Sequence, residues 1–215
     1  PKDVKALARM AETMGYHPEL LDAVMEINLD QRTLLVEKLR EVLGGLRDQV
    51  IGILGLAFKP NTDDVREAPS IDVIQSLLQK GARVRAYDPK AMPVLKRQLT
   101  GIAYCEDAYA VADGADALLV VTEWDEFRSL DLEHLKRVMR RPVIVDGRNI
   151  SDPKTMRAAG FVYTGFGRRW ACTPQSRGAP VSLVLTVSSG SAAMCVGTSA
   201  SPTWSRAWRQ TSATS

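Results

Sequence analysis

The stretch Gly52-Ile53-Leu54-Gly55-Leu56-Ala57-Phe58-Lys59-Pro60-Asn61-Thr62-Asp63-Asp64-Val65-Arg66-Glu67 carries the densest set of groups able to do chemistry. It opens as an apolar strand and closes in charges and turn formers, so its polar groups emerge at the carboxyl edge of a sheet, where open α/β sheets bind ligands. Its glycines invite a dinucleotide reading, with Asp88 at the end of the next strand about where a ribose-binding acid would stand. That reading fails on two counts. The third glycine of GxGxxG falls on Ala57, and bulky Phe58-Lys59-Pro60 follows where backbone should approach a phosphate. Cys105 lies just past a short apolar run and reads as a core thiol, since nothing near it would lower its pKa. His17 and His134 stand alone and read as surface or capping groups, and Trp124 reads as packing under a loop.

The surrounding pattern supplies the scaffold. From Pro18 to about Gly44 the residues Leu20, Leu21, Val24, Ile27, Leu35, Leu39 and Val42 recur at three- and four-residue spacing, which predicts a long amphipathic helix. A shorter helix over about Val4–Met14 precedes it, stopped by Gly15. From Val50 onward strands and helices alternate. Strands are expected at Val50–Leu56, Arg83–Tyr87, Ile102–Tyr104, Ala117–Val121, Val143–Asp146 and Phe161–Tyr163. Helices are expected over Ser70–Lys80, Met92–Leu99, Asp107–Val111, Leu132–Met139 and Pro153–Ala159. Strands this apolar imply a parallel sheet covered on both faces. The expected fold is therefore a doubly wound, Rossmann-like α/β domain preceded by a long helical segment. The boundaries read as 1–46 for the helical segment, 47–168 for the α/β domain and 169–215 for a tail foreign to the fold.

Composition narrows the function classes. The formal charge is +3, but residues 169–215 hold four arginines and no acid, so residues 1–168 are close to neutral. The basic balance thus belongs to a Ser/Thr-rich tail expected to be disordered, and nucleic acid is not an expected partner. Cys105, Cys172 and Cys195 show neither a CxxC pair nor metal spacing, which argues against a disulfide framework and a zinc site. No run reaches the length of a membrane span and no signal segment opens the chain, so a cytoplasmic location without membrane contact is expected. A first residue of Pro1 suggests a piece of a longer protein.

GLAFKPNTDDVRE, residues 55–67, closely resembles the C-terminal signature of the UDP-glucose and related nucleotide-sugar dehydrogenases. Other segments agree in order. Pro1-Lys2-Asp3 resembles the end of that family's GGxCFPKD motif, whose cysteine would stand two positions before Pro1. Ile27–Gln31 is similar to its VNxxQ segment, Ala86-Tyr87-Asp88-Pro89 to its second-strand end, and Asp146-Gly147-Arg148-Asn149 to its DGRN turn. Phe161–Gly167 looks like its close, and the resemblance stops near residue 168.

The resemblance implies oxidation of the C6 alcohol of UDP-glucose by two NAD, through a thiohemiacetal and a thioester that water hydrolyses. It makes Asp3 the carboxylate that orients or deprotonates that water. An N-cap role for Asp3, on a helix starting at Val4, is the physical alternative. Phe58, Lys59 and Arg148 become substrate contacts, two cations and an apolar surface for a nucleoside diphosphate sugar. Arg66, with Lys2, would reach NAD held by another domain, unless Arg66 simply pairs with Asp63 or Glu67. The long helix is implied to form a homodimer. Sibling activities on UDP-N-acetylmannosamine or GDP-mannose stay open, as does a non-catalytic nucleotide-sugar-binding or assembly module. Without the cysteine and an NAD domain, these 215 residues are expected to bind UDP-sugar and turn over nothing.

Overall fold

The computed structural model describes residues 2–167, with side chains from Asp3 onward. The expectations for the tail 169–215 and for the Lys2 side chain lie outside the described residues. Helix α1 spans Lys2–Thr13 and α2 Glu19–Leu43. Then follow β1 (Val50–Leu54), α3 (Pro69–Gln79), β2 (Arg83–Tyr87), α4 (Met92–Leu95), β3 (Ala103–Tyr104), α5 (Ala108–Ala112) and β4 (Ala117–Val120). A 3-10 turn (Asp125–Arg128), α6 (Leu132–Val138), β5 (Val143–Asp146), α7 (Pro153–Ala158) and β6 (Val162–Gly165) complete the order.

All six strands are parallel, in the order β3-β2-β1-β4-β5-β6. This is the doubly wound arrangement, whose order reverses between β1 and β4. Every residue of β1, β4 and β5 is buried, as a sheet covered on both faces requires. Register fixes one edge. Leu54 pairs with both Tyr87 and Val120, Val120 pairs with Asp146, and Asp146 with Gly165. The segments after these residues must therefore leave the sheet side by side.

Departures from the expected boundaries have local causes. β1 stops at Leu54 instead of Leu56 because Gly55 turns to φ +90°. A side chain there would also strike the Thr122 backbone, at 2.7 Å from its nitrogen. β6 begins one residue late because the Phe161 amide closes α7 on the Met156 carbonyl at 3.0 Å. Helix α1 starts at Lys2, which puts Asp3 inside its first turn and removes the N-cap role; an acid there still favours the helix dipole.

In α2 only the second half reaches the core. Leu35, Val36, Leu39 and Leu43 are buried, whereas Leu20 is 76% and Ile27 58% exposed. The buried half is tied to the sheet layer by ion pairs of Arg32 with Asp72 and of Lys80 with Glu37, and Lys5 of α1 reaches Glu67 at 2.6 Å. No helix among the described residues is long and apolar enough to cross a membrane.

Candidate functional site

Two loops meet at the carboxyl edge of the sheet, and each is held by groups of the chain itself. Asp88, fully buried at the end of β2, organises the first. Its Oδ2 accepts the amides of Leu56 at 2.7 Å and Ala57 at 2.9 Å and the indole N–H of Trp124 at 3.0 Å. Its Oδ1 accepts the amides of Lys90 and Ala91. The hydroxyls of Ser70 and Thr122 donate to the carbonyls of Leu56 and Ala57, and the Phe58 amide bonds the Asp64 carbonyl. The strand-to-loop passage that delivers Phe58 is thus saturated with hydrogen bonds.

This arrangement decides the dinucleotide question. In a phosphate-binding loop the amides after β1 face an anion; here those of Leu56 and Ala57 face Asp88. The glycines serve packing instead, since a Cβ on Gly52 would lie 2.6 Å from side chains of Leu118 and Val111. NAD does not fit the β1 loop of this sheet.

The Asp146-Gly147-Arg148-Asn149 turn is the second loop. Asp146, fully buried, accepts the amides of Arg148 at 2.9 Å and Ser151 at 3.1 Å and the phenol of Tyr163 at 2.7 Å. Gly147 is required by proximity, because a Cβ would stand 2.8 Å from the Val120 carbonyl and 3.1 Å from Leu35 of α2. Asn149 adopts φ 53° and its amide reaches the Phe166 carbonyl. Arg148 Nε donates to the Val121 carbonyl at 2.9 Å and lies 3.0 Å from a Glu123 carboxylate oxygen.

Phe58, Val121, Gly147, Arg148 and Phe166 line one cavity of about 410 Å³. The far wall is α2, which contributes Asn28, Gln31, Arg32 and Leu35. Two guanidinium groups, two carboxamides and two phenyl rings are convergent chemistry for a polar anionic ligand with a flat apolar part. A second cavity, of about 430 Å³, shares Asn28 and Arg32 and extends to Val4 and Lys5 of α1.

The sequence-derived residues divide accordingly. Phe58 and Arg148 come together in the first cavity. Lys59 is exposed and outside its lining. Arg66 is exposed and gripped by Asp64 through two contacts of 2.8 Å, not by Asp63; that carboxylate raises its pKa. Asp3 is exposed, next to the Val4 and Lys5 that line the second cavity. Arg32 escaped sequence reasoning, although its signal was present: it follows Asn28 by four and precedes Leu35 by three, on the inward face of α2. Trp124 is buried against Asp88, as the packing reading expects. Cys105 is half-buried, and desolvation pushes its thiol pKa up, which suits an inert thiol. His134 stacks on Tyr109 with ring centroids 4.6 Å apart.

Residues 52–153 match the UDP binding domain of the UDP-glucose/GDP-mannose dehydrogenase family. The chain belongs to that family, as a C-terminal portion of it. A UDP-glucose 6-dehydrogenase of Bacillus subtilis is 44% identical over 169 residues, covering 78% of this chain and 37% of that protein. The structure of a UDP-glucose dehydrogenase from Pyrobaculum islandicum superposes with a TM-score of 0.66 at 39% identity, covering 77% of this chain and 36% of that one. A UDP-D-ManNAc dehydrogenase from Pyrococcus horikoshii gives 0.56 at 29% identity, covering 69% and 33%. The chain therefore spans well under half the length of the relatives it matches.

Proposed function

We propose that the chain is the substrate-binding portion of an NAD-dependent UDP-glucose 6-dehydrogenase, which converts UDP-glucose, two NAD and water to UDP-glucuronate and two NADH. The observation that carries this reading is the cavity that joins Phe58 and Arg148 to Arg32, Asn28 and Gln31 at the reversal edge of the sheet. Arg148 and Arg32 supply positive charge for the diphosphate, the carboxamides suit a uracil or sugar hydroxyls, and the phenyl rings suit a base. Lys59, exposed and next to Phe58 in the chain, adds a cation from outside the cavity lining. Asp3 is the carboxylate for the final water, beside the cavity that continues toward α1. NAD, when bound by another domain, supplies the hydride acceptor, and Arg66 and Lys2 would meet it there once Arg66 leaves Asp64. The higher identity to UDP-glucose enzymes than to the UDP-D-ManNAc enzyme favours glucose as the sugar.

The 215-residue polypeptide is expected to bind UDP and UDP-glucose in calorimetric titration and to form no NADH when given UDP-glucose and NAD. The thiol of the GGxCFPKD motif would precede Pro1, and the amides of residues 55–58 that follow β1 are already bonded within the chain. NADH from this polypeptide would refute the inactivity; preference for GDP over UDP would shift the substrate to the GDP-mannose branch.

Self-association through the first half of α2 is part of the same proposal. Leu20, Ile27 and Leu34 of α2, with Leu7 and Met10 of α1 and Met14 just after it, leave large apolar side chains exposed. Sedimentation should report a dimer, and a Leu20→Glu/Ile27→Glu variant a monomer. A wild-type monomer at tens of micromolar, on the order of typical association constants, would remove the interface.

A further inference from the structure

Glu123 faces the candidate cavity's arginine from the loop after β4. Its Oε2 is shielded from solvent and takes part in no hydrogen bond, yet it lies 3.0 Å from Arg148 Nε. The two facts agree geometrically. The Nε–H bond is aimed at the Val121 carbonyl, at 2.9 Å, so Glu123 meets the guanidinium from the side, by charge alone. A carboxylate oxygen withdrawn from water with no hydrogen bond is costly for the fold, and its one compensation is that cation.

The contact also has a direction. Glu123 and Val121 both engage Nε, and the two terminal nitrogens of Arg148 bond no described residue, while the side chain lines the cavity. The loop that carries Glu123 is itself fixed at both ends. Val121 donates its amide to Leu54, the Thr122 hydroxyl donates to Ala57, and the Trp124 indole donates to Asp88. A long side chain, about a third exposed, is thereby held at its root by one carbonyl and one charge on a rigid segment, with its fork left for a ligand.

We propose that Glu123 is a positioning residue: it orders the Arg148 guanidinium before ligand arrives, so that both terminal nitrogens are presented to the diphosphate of a nucleotide sugar. This rests on the UDP-site reading above, and it opposes the simple electrostatic expectation that a carboxylate beside the site weakens anion binding.

The test is a double-mutant cycle with UDP as the probe. Glu123→Gln keeps the volume and removes the charge, and it should weaken UDP by about two- to tenfold, the cost of ordering one long side chain on binding. In an Arg148→Ala background the same change should have no further effect. Unchanged or tighter UDP binding in Glu123→Gln overturns the proposal, and so does an equal loss in both backgrounds, which would mark a general structural role. A second readout needs no ligand. The Arg148 Nε–H resonance, assigned by its loss in Arg148→Ala, should be rigid by heteronuclear relaxation in wild type and mobile in Glu123→Gln; equal rigidity in both overturns the proposal. If wild type binds no UDP, the site reading fails, and the relaxation experiment alone decides whether Glu123 holds Arg148.

Discussion

Replacing Asp88 by alanine is expected to lower the unfolding free energy by about 3–5 kcal/mol in urea denaturation, the range of a broken buried polar network. Five donors converge on this carboxylate, and three of them, from Leu56, Ala57 and Trp124, share one oxygen. Asp88 is fully buried, so alanine would strand donors that each cost about 1–3 kcal/mol when unpaired. Partial relief by a water admitted to the vacated space keeps the expected total below the simple sum. Asp88→Asn should fall between wild type and alanine, since an amide keeps one acceptor but turns an NH₂ toward backbone N–H groups. A loss below about 1 kcal/mol for alanine, the worth of one ordinary hydrogen bond, would show that Asp88 does not hold the loop.

Arg148→Ala is expected to weaken UDP about 10- to 100-fold in calorimetric titration. The guanidinium lines the cavity with two unengaged nitrogens, and a charge-assisted hydrogen bond contributes about 1.5–3 kcal/mol. Lys59→Ala should cost less than about fivefold, because an exposed ammonium makes contacts worth about 1 kcal/mol or less. The order of the two effects is the sharper test. The family resemblance gives both cations the same role, whereas Arg148 lines the cavity and Lys59 is exposed and outside its lining. A larger loss for Lys59→Ala would mean that ligand sits outside this cavity.

The sheet was legible because its strands are apolar and separated by helical periods, and two of them, Arg83–Tyr87 and Val143–Asp146, match their expected limits at both ends. Loops held by long-range partners were not legible. Past Gly55 the chain is set by Asp88, some thirty residues away, which captures the amides of Leu56 and Ala57, and no local signal marks that. Phe58 and Arg148 were found through motifs. Arg32 and Glu123 needed three dimensions, because their meaning depends on which wall of a cavity a helix face or a loop supplies. The first half of α2 shows the opposite limit: its apolar residues keep helical spacing, but the spacing does not say whether they meet this chain or another.

Asp88 has one more consequence, for binding rather than folding. Where a loop waits for a phosphate to satisfy its amides, association must also supply the free energy of ordering that loop. Here an internal carboxylate plays the part of the phosphate permanently, so residues 55–58 complete their conformational entropy loss during folding. A ligand arriving at Phe58 meets a wall already set, and the affinity it gains from that wall is not taxed by the chain coming to rest.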